Sequence, residues 1–215
     1  MPLPVHALIA VRGGPCAKSR CAPLLDAGER ARLTELMFGD LMNSLAKAAS
    51  IASIWVVTPT SSLAALAMQR GARVIGQHGL PGLDAAFAHG IAVVRATTSA
   101  ALALLPGDLP TLTACEFDLA AEALAMNDIV VAPSQDGGTG AIFLGPGISF
   151  TPRFGADSGS RHVEAARAAG CAVRVVRTPG FYHDLDVPAH ARALARSALR
   201  TASADFLRGR LAERA

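Results

Sequence analysis

Three aspartates and a lysine stand out as residues able to do chemistry in this 215-residue chain. Asp108 sits in Leu104-Leu-Pro-Gly-Asp-Leu-Pro110, where an apolar run ends in a carboxylate held between two prolines. Asp184 and Asp186 are one residue apart in Tyr182-His-Asp-Leu-Asp-Val-Pro188, so an extended backbone points both the same way. Two nearby carboxylates repel unless a cation lies between them. Mg²⁺ favours one or two carboxylates together with substrate phosphate. Asp108, Asp184 and Asp186 thus form a candidate site for one or two Mg²⁺ ions. A turn or capping role stays open for Asp108, because Thr111 and Thr113 follow it, and His183 reads as a structural residue on the opposite face.

Four glycine-rich stretches could supply amides to an anion. Residues 11–20 read Val-Arg-Gly-Gly-Pro-Cys-Ala-Lys-Ser-Arg. Gly13 and Gly14 permit close approach of backbone to a phosphate, and Arg12, Lys18 and Arg20 add positive charge. The spacing is neither that of a Walker A loop nor Gly-x-Gly-x-x-Gly. Gly76-Gln-His-Gly-Leu-Pro-Gly-Leu-Asp84 could wrap a base or ribose through Gly82 and Asp84, or Asp84 could only cap the helix that follows. Ala132-Pro-Ser-Gln-Asp-Gly-Gly-Thr-Gly-Ala141 reads as a second anion cradle around Thr139, or as a wide hairpin turning at Asp136-Gly137. Residues 153–162, Arg-Phe-Gly-Ala-Asp-Ser-Gly-Ser-Arg-His, lead into a helix that Ser158 or Ser160 caps, and a helix N-terminus favours anions. Arg161 and His162 are either substrate contacts or ordinary surface residues.

These loops need a scaffold, and the chain spells one out. Apolar runs rich in Val and Ile at 7–11, 54–58, 74–75, 101–105, 129–132, 141–144 and 173–176 predict strands. Helical spacing occupies 27–49, 61–71, 83–89, 113–126 and 160–170 between most of them. Such alternation predicts an α/β fold, a mostly parallel mixed sheet with helices on both faces. Ligands then sit beyond the carboxyl ends of the strands, where the loops above lie. Residues 1–190 read as one domain, and the Ala/Arg-rich residues 191–215 as a C-terminal helix, docked or partly frayed.

Composition excludes other classes. Net charge is +3, and no run of five basic residues occurs, so no nucleic-acid partner is expected. No apolar stretch of about 18 residues appears, and the N-terminus lacks a basic leader, so the chain is expected to be cytoplasmic, without a membrane partner. Cys16, Cys21, Cys115 and Cys171 show no Cys-x-x-Cys spacing and read as free thiols. Charged residues are only 17% of the chain, a lean surface that points to a homodimer, although an alanine-rich composition accounts for it equally.

The order of motifs resembles the CofC/FbiD family of phospholactate guanylyltransferases. The resemblance spans residues 5–190. It rests on Lys18-Ser19-Arg20 with Ala22-Pro23, Gly82-Leu83-Asp84-Ala85-Ala86, Pro106-Gly107-Asp108-Leu109-Pro110, Asp136-Gly137-Gly138-Thr139, Phe154-Gly155 with Ser158, Arg161-His162, and Asp184-Leu185-Asp186 with Pro188. It implies a single Rossmann-like, GT-A-like nucleotidyltransferase domain. It also implies transfer of GMP from GTP to 2-phospho-L-lactate, phosphoenolpyruvate or 3-phosphoglycerate, with release of pyrophosphate, in biosynthesis of the deazaflavin coenzyme F-420. On this resemblance Asp108, Asp184 and Asp186 would hold Mg²⁺, and Lys18, Thr139, Gly155 and Ser158 would bind the acceptor's phosphate and carboxylate. The chain departs from the family pattern at Arg12-Gly13-Gly14, Cys21, Asp84, Gly107 and Gly140. The alternatives are a nucleotidyltransferase of the molybdenum-cofactor or sugar-phosphate type, or a non-catalytic nucleotide-binding protein.

Overall fold

In a computed structural model of the chain, residues 3–14, 16–77, 79 and 81–213 are described. His78 and Leu80 of the expected base or ribose loop, Pro15 of the first glycine loop, and Arg214 and Ala215 of the C-terminal segment lie outside them. Seven strands alternate with helices: β1 Val5–Ala10, α1 Ala27–Leu45, β2 Ile51–Thr58, α2 Ser61–Gln69, β3 Arg73–Gly76, α3 Gly82–Arg95, β4 Ala101–Pro106 and α4 Ala114–Glu122. Then come β5 Ile129–Pro133, β6 Thr139–Leu144, α5 Ser158–Ala168, β7 Val173–Val175, α6 Pro179–Tyr182, α7 Pro188–Arg196 and α8 Ala202–Ala212.

The sheet order is β3-β2-β1-β4-β6-β5-β7. β6 runs antiparallel to both β4 and β5, and the other pairings are parallel. The central strands are buried on both faces, which is why they read as continuous apolar runs. Alternation along β1 sends Ala7 and Ile9 into the core beneath α1, α2 and α4, and Leu8 and Ala10 into the core beneath α3 and α5. Local signals set the helix starts. Asp26 with Glu29 forms a capping box on α1, and Thr113 with Glu116 forms one on α4.

From β1 the chain crosses to β2 and β3 on one side, then returns to place β4 on the other. The loops leaving β1 and β4 therefore part at the switch point and open a cleft between them.

The single C-terminal helix expected from composition is instead two helices. Ser197 turns extended (ψ 158°) at the end of α7, and its hydroxyl accepts from Leu199 N–H at 3.4 Å. Thr201 then caps α8 through Ala204 N–H. Hydroxyl side chains that satisfy nearby backbone groups end one helix and start the next. α8 docks on α1, and α7 packs against α8 and the Ser19–Cys21 turn, all around a third apolar cluster that includes Leu25, Leu33, Met37, Leu185, Leu194 and Leu207. Asp40 of α1 anchors α8 by accepting from Ala202 N–H, Ser203 N–H and the Ser203 hydroxyl at 3.0, 2.9 and 2.6 Å.

Candidate active site

The last rung of the β1–β4 ladder sets the position of Asp108. Gly107 N–H donates to Ala10 C=O at 3.0 Å, one residue beyond β4, and the chain then turns away with Asp108 facing the loop after β1. There Lys18 adopts a left-handed backbone (φ 49°) before the short helical turn Ser19–Cys21. Its ammonium donates to Asp108 Oδ2 at 2.6 Å and to Asp186 Oδ1 at 2.7 Å. The Lys18 side chain is only 10% exposed, so little water competes for these bonds. Burial alone would lower the Lys18 pKa, but the charges of Asp108 and Asp186 and their hydrogen bonds outweigh it and raise it. Buried Cys21 donates to Asp186 C=O at 3.6 Å, tying the two loops together. Arg20 is exposed, with its guanidinium 3.8 Å from Asp186 Oδ2.

Asp184 is held differently from its neighbour. Gln135 Nε2 donates to Asp184 C=O at 3.0 Å and to Asp184 Oδ1 at 3.1 Å. His190 Nδ1 accepts from Asp186 N–H at 3.3 Å, which fixes the segment from the α7 side. Burial raises the Asp184 pKa, Gln135 opposes it, and the charges of Asp108, Asp186 and Asp136 raise it further. Four carboxylates thus crowd one end of the cleft, with Lys18 and Arg20 as the nearby cations. Asp184 and Asp186 thus have different partners, Gln135 and Lys18, while both line the larger of the cleft's two lobes. A short helix, α6, also intervenes between the last strand and this pair. Among the described residues no three acidic, histidine or cysteine side chains form a closed metal-ligand group.

Two lobes meet at these carboxylates. The first, about 280 Å³, is walled by Arg12, Lys18, Ser19, Thr34 and Gly107. The second, about 440 Å³, is walled by Ser134, Asp136, Gly138, Thr139, Phe154, Gly155 and Asp184. Arg20, Leu83, Pro106, Asp108 and Asp186 belong to both.

The second lobe is shaped by its own hydrogen bonds. Asp136 Oδ1 accepts from the Ser134 hydroxyl at 2.6 Å and from Gly138 N–H at 2.9 Å, bending the loop before β6. The Ser134 bond lowers the Asp136 pKa, against burial, so the carboxylate stays ionised. Behind the wall, Thr139 Oγ1 lies 2.8 Å from Ser158 Oγ and 2.9 Å from His162 Nδ1. Asp84 stands in the first turn of α3, and its carboxylate accepts from Phe154 N–H at 2.8 Å.

The residues singled out from sequence therefore divide. Lys18, Asp108 and Asp186 meet directly, Arg12 lines the first lobe, and Asp184, Thr139 and Gly155 line the second. Gly13 is pinned by its N–H to the Thr60 hydroxyl at 3.0 Å, and neither it nor Gly14 belongs to the wall of the first lobe. Gly82 and Asp84 are also outside both walls, because Asp84 is committed to the 153–157 loop. Ser158 is buried behind Thr139 and is the first residue of α5; neither it nor Ser160 caps that helix as expected, since the N-cap is Asp157, without a side-chain bond, and the Ser160 hydroxyl donates to Asp157 C=O. Arg161 is exposed and donates to Ala156 C=O at 2.8 Å. The sequence reading missed Gln135, Ser134 and Phe154 as parts of the site. Only Ser134-x-Asp136 carried a signal, the spacing of a side-chain-stabilised turn.

The open α/β sheet with its cleft at the switch point is the fold of solved nucleotidyltransferases. A nucleotidyl transferase from Methanothermobacter thermautotroptrophicus shares the fold at TM-score 0.66 and 15% identity, over 95% of this chain and 98% of that one. The Rv0371C protein of Mycobacterium tuberculosis H37Rv, solved in complex with manganese, matches at TM-score 0.55 and 15% identity, over 91% and 100%. The profile described as "Guanylyl transferase CofC like" matches residues 5–202, and the chain belongs to this family. A 3-phospho-D-glycerate guanylyltransferase of Phenylobacterium zucineum is 43% identical, over 94% of each chain. A 2-phospho-L-lactate guanylyltransferase of Methanopyrus kandleri is 30% identical, over 80% of each. No helix among the described residues is long and apolar enough to cross a membrane.

Proposed function

We propose that this chain transfers GMP from GTP to a small phosphorylated carboxylic acid, with 3-phosphoglycerate the first acceptor to test and phosphoenolpyruvate and 2-phospho-L-lactate beside it. As the family resemblance implies, the product would serve biosynthesis of coenzyme F-420. The observation that carries the reading is the junction of two lobes at Asp108 and Asp186, the two carboxylates that Lys18 holds. One lobe takes the nucleotide, beside Arg12 and Lys18. The other takes the acceptor, beside Thr139, Gly155 and the N-terminus of α5.

An oxygen of the acceptor phosphate attacks the α-phosphorus of GTP in line. The bond from that phosphorus to the bridging oxygen breaks, and pyrophosphate leaves. The nucleophile is already ionised at neutral pH, so no side chain has to remove a proton. Positioning and charge neutralisation then carry the catalysis. Lys18 offsets phosphate charge at the junction, and Arg20 adds to it from the rim.

Asp108, Asp184 and Asp186 would hold a divalent cation, Mg²⁺ on this reading. The three do not form a closed ligand group here, with Asp108 and Asp186 bonded to Lys18, but all three line one lobe, and Asp108 and Asp186 converge on one positive charge, so hard oxygen donors stand where a cation held jointly with substrate phosphate would need them. Bound there, such an ion would neutralise charge developing on the phosphates.

The test incubates pure protein with Mg²⁺, each NTP and each of the three phospho-acids, identifying products by mass and following pyrophosphate. A GMP adduct of one acid, abolished by chelator, is expected. Its absence with all three acids would sink the proposal.

A further inference from the structure

We propose that His162 is a positioning residue for the acceptor: as the Nδ1–H tautomer it donates to the Thr139 hydroxyl and leaves the Thr139–Ser158 pair one hydrogen to give to an anion in the second lobe. The inference rests on the second lobe being the acceptor's, as proposed above.

The tautomer follows from its partners. Arg153 N–H is a backbone donor and lies 2.7 Å from His162 Nε2. Nε2 must therefore present its lone pair, so the imidazole hydrogen is on Nδ1. Nδ1 lies 2.9 Å from Thr139 Oγ1, which accepts it. Burial, reinforced by the charge of Arg161 and only partly opposed by Asp84, lowers the His162 pKa to about 4, so the ring is neutral at physiological pH. Phe150 and Phe154 pack edge-on to the imidazole, with centroids 5.8 and 5.5 Å away, and keep it from turning.

Counting hydrogens gives the function. His162 Nδ1–H and the two hydroxyls bring three hydrogens to two contacts, Nδ1 to Thr139 and Thr139 to Ser158. One hydrogen is left over, and because Ser158 is buried behind Thr139 it serves the lobe when Ser158 donates to Thr139 and Thr139 turns its own hydrogen outward. Thr139 stands in the wall of the second lobe, and Ser158 opens α5, whose N-terminus also favours an anion. If the imidazole instead accepted from Thr139, that hydrogen would be turned away from the lobe.

Two variants separate the donor from the mere space-filler. His162→Asn places an amide donor near Nδ1 and loses the acceptor for Arg153. His162→Gln places an acceptor near Nε2 and loses the donor to Thr139. Wild type and both variants are compared in the KM for each phospho-acid and for GTP, with folding checked by thermal melting. Nitrogen NMR of histidine-labelled wild type reads the tautomer. The Nδ1–H form is expected, with acceptor KM raised about tenfold in His162→Gln and GTP KM unmoved, as for one lost hydrogen bond. His162→Asn is expected to recover most of that loss. The Nε2–H form, equal acceptor KM in the two variants, or a parallel rise in GTP KM overturns the proposal. If wild type transfers GMP to none of the acids, the proposed function falls on its own. Inorganic phosphate binding then reads this inference: weaker binding in His162→Gln than in His162→Asn upholds it, and equal binding overturns it.

Discussion

The ammonium of Lys18 lies 2.6 Å from Asp108 Oδ2, joining residues 90 apart in the chain, and the same nitrogen holds Asp186. This one cation fixes the junction of the two lobes and sets the first prediction. Lys18→Met leaves two partly buried carboxylates facing each other. It should lower the melting temperature and cut GMP transfer about 10²-fold, as for loss of an electrostatic stabiliser. The stability part has a sign. A lysine pKa raised by folding stabilises fully below its unfolded value, about 10.4, and that stability is lost as pH rises through the folded value. Urea unfolding should show a wild-type advantage that is complete at pH 7 and shrinks only in strong alkali. A gap already closed near pH 8 contradicts the pairing.

Asp108→Ala tests the other side of the same contact. The carboxylate sits one residue past Gly107, where the β1–β4 ladder ends, so the backbone should survive the change. Transfer should fall by about 10²-fold or more. Turnover near that of wild type, with an unchanged requirement for divalent cation, would remove Asp108 from the metal assignment.

Much of the frame was legible because its signals are local. The seven strands read as apolar runs, since both faces of the sheet are covered, whereas the cap read for α5 at Ser158 or Ser160 is not there, because the chain enters that helix through a left-handed Asp157. Asp108 could be placed because it follows a buried strand directly. The pairing of Lys18 with Asp186 could not, since 168 residues separate them and nothing short-range records it. Asp84 misled for the same reason. Its position before a helix suggested a ribose contact or a cap, whereas its partner, Phe154 N–H, lies 70 residues away. Likewise the C-terminal segment read as one helix because alanine favours helix throughout, and only Ser197 and Thr201 marked the break.

Gly140 is a point where backbone meets backbone. A Cβ there would run into Phe181 C=O, so Gly140→Ala must push α6 away from β6. That shift reaches Asp184 and Asp186 a few residues later. The variant should lose about 1–3 kcal/mol of stability, as overpacked sites do, and also lose transfer activity. Calorimetry with a parallel assay decides it. Full activity at reduced stability would show that α6 does not set the aspartate positions.

Asp40 anchors α8 although it belongs to α1. Three donors from Ala202 and Ser203 converge on its carboxylate, which is buried. Asp40→Ala leaves those donors unsatisfied and should cost about 1–3 kcal/mol. The damage should concentrate in the C-terminal helices, so hydrogen exchange in 202–212 should accelerate more than in β1 or β4. Uniform acceleration across the chain would argue that α8 and the sheet unfold as one unit.

His162 gives the protein a defined acid sensitivity. Its pKa falls from the ordinary histidine value of 6.5 to about 4 in the folded chain, through burial first and Arg161 second, with Asp84 opposing. Between those values the unfolded chain binds the extra proton and the folded chain does not, so stability rises with pH across the window. The contribution is complete above about pH 6.5, declines as pH falls, and is gone near pH 4. Protonation would put a hydrogen on Nε2 against the Arg153 N–H and break the contact that fixes the 153–157 loop. Urea midpoints for wild type and His162→Gln at pH 7 and pH 4.5 test this. Wild type should lose more stability between the two than the variant does, and equal losses would assign the acid sensitivity to other groups.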